Sequence, residues 1–414
     1  MKIAGTDFHL TYCTNIHPGE SWTEVKDNLQ QYLPKLKARL DNRSLGIGLR
    51  LAEAAVRELL AKDNLLQFQT WLQEHDLYVF TLNGFPYGGF HHQVVKDKVY
   101  APDWSTVERV DYTLRLIEIL ATLLPERLDG GISTVPLSYK PWWQDNPNGR
   151  DKTLHQSSLH LAQIAAKLAE IQNNTGKLLH LDLEPEPDAM LENTVEVINY
   201  FHDWLLPIAG NWLQQNLGIS KELAESWLRN HIRVCYDTCH FAVEYEEPED
   251  VLQKLKNAGI KIGKIQLSSA IKIDLSAETA QRQVILEKLS AFAESTYLHQ
   301  VIARHGDRTL QHYADLSQAL PHLATTKAQE WRTHFHVPIF IRNYQPFEST
   351  QEHLTKVLQL LPENPVCNHL EIETYTWEVL PPEMKMDILT SIEREYQWVL
   401  KTLALPHQEM MYVD

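Results

Sequence analysis

The residues best able to do chemistry fall in five short strings: "HLDLEPEPD" at 180–188, "YDTCH" at 236–240, "KIQLSSA" at 264–270, "HFHVP" at 334–338 and "HLEIETYTW" at 369–377. They offer carboxylate, amide and imidazole donors in Glu184, Asp237, His240, Gln266, His334, His336 and Glu373. Each has an ordinary reading taken alone. Asp237 would serve as the N-cap of a following helix. His334 and His336 would be packed histidines on one face of an extended segment, and Glu371 beside His369 a surface pair of small energetic value. Convergence changes the reading, because carboxylates from separate strands meet in a buried site only around a cation or a shared proton. Oxygen-plus-imidazole sets suit a divalent metal such as Mn, Zn or Mg.

A sixth string differs in kind. "TLNGFPYGGFHHQVVKDKVYAPDW" at 81–104 mixes aromatics, glycines and hydrogen-bonding groups. It suits the lining of a small-molecule pocket, with Asn83, His91, Lys96 and Trp104 as candidate substrate-binding residues. An aromatic cluster covering a sheet end, or a patch for a protein partner, are the other readings.

Positioning these residues falls to elements that alternate along the chain. In "SWTEVKDNLQQYLPKLKARL", Trp22, Val25, Leu29, Leu33, Leu36 and Leu40 recur at helical spacing, behind a Ser21–Glu24 capping box. Strand-like runs "LGIGLRLA", "LYVFTLNGF", "GGISTVPLS", "LLHLDLEP", "IRVCYDTCH" and "IGKIQLSSA" each precede an amphipathic stretch. "HLEIETYTW" comes before a last helix at about 382–405. With "KIAGTDFHL" this makes eight βα repeats, which imply parallel strands with right-handed crossovers closed into a (β/α)8 barrel. "HFHVPIFI" could add one strand to the count, and two helical segments are expected after the seventh strand. A doubly wound open sheet would show a glycine-rich phosphate turn after its first strand, and "TDFHLTYCTN" has none. No linker divides residues 1–414, which read as a single barrel domain with extended loops and extra helices. In such a barrel the chemistry sits where strands run out into the βα loops.

The whole composition excludes several classes. Thirty-eight basic against 54 acidic residues give a formal charge of −16, so nucleic acid and anionic membrane surfaces are not expected partners. Four cysteines without a CxxC pair read as reduced thiols, and no stretch has the length of a membrane span. These features point to a cytoplasmic protein that does not insert in membranes.

The placement of Glu184, of "DTCH" and of Glu373 resembles the xylose isomerase-like barrels, which include sugar isomerases, epimerases and abasic-site endonucleases. More closely, "TLNGFPYGGFH", "YAPDW", "HLDLEPEPD", "YDTCH", "HFHVP" and "EIETYTW" together resemble the EboE family of metabolite traffic proteins. The resemblance implies metal ligands at Glu184, Asp237, His240, His336 and Glu373. Gln266 stands where the superfamily usually has His or Asp. It implies proton transfer on the substrate carbon by Glu184 and Glu373. His334, Tyr375 and Trp377 would join His91 and Lys96 in holding or covering an oxygen-rich metabolite, as in an isomerase or epimerase. Other Ebo-cluster proteins become possible contacts. Two further readings stay open: a non-catalytic carrier that keeps the pocket, and a metal-dependent phosphoesterase using Arg304 and Arg308. The missing histidine after "STVPLS" and the acidic charge set DNA repair aside.

Overall fold

The computed structural model describes residues 1–91, 94–275, 279–293, 296–376 and 387–404. Seven short apolar runs form parallel strands in chain order: β1 (His9–Tyr12), β2 (Leu45–Arg50), β3 (Leu77–Asn83), β4 (Gly130–Thr134), β5 (Leu179–Leu183), β6 (Ile232–Asp237) and β7 (Ile262–Leu267). Six more strands follow: β8 (Ile271–Asp274), β9 (Val301–Arg304), β10 (Leu310–Tyr313), β11 (Glu330–Thr333), β12 (Asn343–Tyr344) and β13 (Phe347–Ser349). The last is β14 (His369–Ile372). The first seven and β14 make one eight-stranded parallel sheet, in the order β1-β14-β7-β6-β5-β4-β3-β2. A parallel bridge between Cys13 and Gly48 joins its two ends. The fold is therefore a (β/α)8 barrel with β14 as its eighth strand.

Local signals explain the flanking helices. Ser21 caps the helix Trp22–Arg39 in a complete box with Glu24, satisfying donors that a helix start leaves free. The long helix Pro147–Thr175 stops at Gly176, whose φ of 75° suits the left-handed C-cap. The final helix is Ile388–Ala404. The part of the expected 382–405 helix before residue 387, and Leu405, lie outside the described residues.

The stretch after β7 departs from the sequence expectation. In place of only helices, β8 to β13 build a six-stranded antiparallel sheet in the order β10-β9-β11-β8-β13-β12, with the helix Thr279–Ser290 between β8 and β9. Its strands are two to four residues long, too short to leave a periodic signal in the chain. "HFHVP" is not a strand but the segment leaving β11.

The barrel interior is unusually polar. Lys264 and Glu371, both fully buried, pair at 2.6 Å. Burial alone would lower the Lys264 amine, but Glu371 outweighs it and holds the charge well above the ordinary lysine value. A Cβ on Gly48 would lie 1.8 Å from a Glu371 oxygen, so only glycine fits there. Toward the foot of the barrel His180 Nδ1 lies 2.6 Å from Asp182 Oδ1. Asp129 gathers Arg233, His180 and His369 within 3.3–3.6 Å. Burial opposes ionisation of Asp129, yet the two imidazoles keep its carboxyl well below the usual carboxylate range.

Candidate metal centre and its cavity

Strand β6 delivers Asp237 to the barrel mouth, and the carboxylate divides its oxygens. Oδ1 accepts from the backbone N–H of Cys239 at 2.7 Å and of His240 at 3.2 Å, and from Ser268 Oγ at 2.6 Å. It thereby caps the short helix Thr238–Val243. Oδ2 is buried without a partner. The cap and the candidate ligand are thus the same side chain, one oxygen each.

His240 sits in the first turn of that helix, while His334 and His336 follow β11 out of the inserted sheet. Their Nε2 atoms form a triangle: 3.1 Å for His240 to His334, 3.3 Å for His334 to His336 and 3.3 Å for His336 to His240. Each Nδ1 faces an acceptor. His240 donates to the Pro185 carbonyl at 3.1 Å, His334 to Gln300 Oε1 at 2.8 Å and His336 to the Glu373 carbonyl at 2.9 Å. The Gln300 amide is oriented by its own Nε2, which donates to the Pro187 carbonyl at 3.0 Å. With Nδ1–H committed, all three Nε2 atoms present lone pairs to one another. Burial, then the neighbouring imidazoles, holds His240 and His334 neutral, well below the usual histidine value.

Three converging lone pairs repel unless a cation lies between them. A tetrahedron with Zn–N of about 2.0–2.1 Å has an edge of about 3.3–3.4 Å, close to the observed triangle. Beside it stand carboxylate oxygens with no hydrogen-bond partner: Asp237 Oδ2, Glu184 Oε2, Glu186 Oε1 and Glu373 Oε2. Asp237 with His240 and His336, and Glu186 with His240 and His334, bring ligand atoms within 4.8 Å of one another. The residues present therefore fit a divalent ion of the imidazole-plus-carboxylate class. Cys239 also approaches His334 and His336, but its thiol donates to the Phe335 carbonyl and burial pushes it well above the usual thiol value. It stays a thiol.

Glu373, from the end of β14, is held by two amides. Asn15 and Asn83 donate to its Oε1 at 2.9 and 2.8 Å. Burial raises both Glu184 and Glu373 well above the ordinary carboxylate value, and each also feels neighbouring carboxylates, Asp237 among them. Burial likewise pushes Glu186 up to about 8. Without a compensating cation these groups hold protons.

Several candidates take other places. Gln266 is fully buried, its Oε1 accepting from the Cys235 thiol at 2.6 Å and its Nε2 without a hydrogen bond among the described residues. His334, expected beside substrate, is a corner of the nitrogen triangle. Trp104 is fully buried in the core, its indole N–H donating to Thr134. His91 Nε2 meets the Asn15 carbonyl at 2.6 Å, supporting the residue that holds Glu373. Lys96 lines the cavity with its amine 2.5 Å from Asp315. Tyr375 lines it too, its ring tilted by 33° with its centroid 4.5 Å from that of the His336 ring. Trp377 lies outside the described residues. Three contributors had escaped the list: Asn15, Gln300 and Glu186. Only Glu186 was legible, through its period-two spacing from Glu184.

Above the centre opens a cavity whose empty space, counted out into the solvent at its mouth, is about 560 Å³. Among the described residues no helix is long and apolar enough to cross a membrane.

No protein-family model matches the chain, and no curated protein does. Solved structures similar to it include the probable 3-DHS dehydratase AsbF from Bacillus anthracis, involved in petrobactin synthesis. That pair shares 10% identity, covers 96% of this chain and 99% of that one, and has a TM-score of 0.43. The IolI protein with a bound zinc atom shares 12% identity over 95% and 98% of the two chains, TM-score 0.45. An AP endonuclease of family 2 from Brucella melitensis shares 12% over 63% and 78%, TM-score 0.34.

Proposed function

We propose that the chain is a metal-dependent enzyme that moves a proton on an oxygen-bearing small metabolite, in the manner of an isomerase or epimerase. The observation that carries this reading is the triangle of unprotonated Nε2 atoms beside unpartnered carboxylate oxygens. His240, His334, His336 and Asp237 would hold the ion, with Glu186 at its edge. A divalent ion there supplies Lewis acidity, polarising a substrate carbonyl or hydroxyl.

The rest is the work of side chains. Glu184 and Glu373 line the cavity as base and acid, burial having raised both well above the ordinary carboxylate value. Asn15 and Asn83 fix one oxygen of Glu373 and leave the other to the substrate.

The EboE-like strings support a place in an Ebo-type metabolite-traffic pathway in the cytoplasm, in contact with other proteins of that cluster. A non-catalytic carrier is the second reading, favoured by the commitment of Gln266 to Cys235 rather than to an ion. The phosphoesterase reading loses Arg304, which bonds Glu330 and lies over the Tyr245 ring, and is left with the exposed Arg308.

Two measurements test the proposal. Metal content by mass spectrometry, on protein purified without chelators, should give about one equivalent or more for wild type and little for Asp237→Ala. Candidate hydroxy-ketones incubated in D₂O should gain carbon-bound deuterium with wild type and not with Glu373→Gln. Metal without exchange on any candidate would favour the carrier, and wild-type exchange in Glu373→Gln would refute the assigned proton transfer.

A further inference from the structure

The cavity has two unlike ends. Its inner end carries Glu184, Glu186, Glu373 and the three imidazoles, while the outer wall is built from Phe85, Phe90, Val95, Val99, Leu298 and Tyr375. Phe90, Tyr297 and Tyr375 form a ring cluster with centroids 5.1–5.2 Å apart. Because the Tyr375 ring also lies 4.5 Å from the His336 ring, tilted by 33°, the aromatic wall reaches the candidate metal centre.

Charge is equally one-sided. Among the described lining residues Lys96 is the single permanent cation, and Asp315 neutralises it at 2.5 Å. Three carboxylates face the same space. A phosphate or carboxylate on the body, away from the ion, would meet this field with no basic partner among the described residues, and buried unpaired charge is costly. A free sugar fares little better, because hydroxyls pressed on the ring cluster lose water without gaining hydrogen bonds.

From this, and resting on the metal-centre reading above, we infer that the substrate is an uncharged amphipathic molecule: a compact head with two neighbouring oxygens, and an aromatic or aliphatic body against the outer wall. The head is the reacting end at the centre. The body supplies affinity through apolar area removed from water.

Calorimetric titration of the full-length, metal-loaded protein with catechol, 4-butylcatechol, glucose and glucose 6-phosphate tests this. The butyl chain should tighten binding at least tenfold over catechol, and glucose 6-phosphate should bind no better than glucose. Phe90→Ala and, independently, Leu298→Ala should remove most of the butyl gain with metal content unchanged. A butyl gain under twofold, a gain unaltered in both variants, or tenfold preference for the phosphate would overturn the inference. If the protein holds no metal, the metal reading fails by itself. The wall is then read with 4-butylphenol against phenol on the metal-free protein, where a gain under twofold overturns the inference and tenfold upholds the apolar body.

Discussion

Inside the barrel Lys264 and Glu371 meet at 2.6 Å, and at its foot Asp129 is surrounded by Arg233, His180 and His369. At the mouth, three imidazoles present lone pairs to one another beside carboxylate oxygens that have no hydrogen-bond partner among the described residues. The same residue types serve both regions, but in the interior and foot Lys264 and Arg233 stand as permanent cations against Glu371 and Asp129, whereas among the described residues Glu184, Glu186 and Glu373 at the mouth form no ion pair with Lys or Arg. A fold stabilises charges it has paired. A site leaves them unpaired for what it binds.

That contrast can be broken experimentally, and the largest effect is expected inside. Lys264→Met leaves Glu371 buried and uncompensated, and should cost about 3–5 kcal/mol in denaturant unfolding. The double variant Lys264→Met/Glu371→Leu should recover most of it, and a single variant as stable as wild type would erase the distinction. His334→Ala should do the reverse. Metal affinity should fall about a hundredfold or more, some 2.7 kcal/mol, while stability measured in chelator stays within about 1 kcal/mol of wild type. Removing the orienting acceptor by Gln300→Ala should weaken metal binding about 10–100-fold with all three imidazoles still present. Equilibrium competition with a chromophoric chelator reads both.

The smallest effect sharpens the boundary between the two regions. Burial pushes the Glu395 carboxyl up to about 8, against hydrogen bonds from Thr374 Oγ1 and the Ile339 N–H. With the folded value above the ordinary 4.5, the folded state holds the extra proton. Its stabilisation is full below about pH 4.5 and is lost as pH rises through 8. Relative to Glu395→Gln, wild type should lose about 1–2 kcal/mol between pH 5 and 8. Parallel pH profiles of unfolding would contradict this.

The sequence made the repeating βα units and the mouth readable because strand ends and helix caps are local patterns. Asp237 and His240 lie three residues apart, and His334 and His336 two. What escaped depended on the third dimension. Asn15 sits near the start of the chain, and Gln300 precedes a strand of the inserted sheet; nothing local marks an amide that orients a distant glutamate or histidine. Gln266 was placed by homologous position, but its rotamer answers to Cys235 beside it. Trp104 was read as a pocket residue from its aromatic neighbours, whereas its indole is spent on Thr134. The inserted sheet was invisible because strands of two to four residues carry too few alternations.

The hydrogen bond from Asn15 to Glu373 spans 358 residues, and it has a consequence for synthesis. Strand β1 pairs with β14, so a chain growing from its N-terminus leaves β1 and β7 waiting for their shared neighbour. Until Glu373 has left the ribosome the sheet is open, with two edges ready to pair with other chains. Such non-local closure makes folding slow. Glu373, whose carbonyl accepts from His336 Nδ1, is the last residue of the candidate centre to emerge, so that centre takes its final form only after the eighth strand.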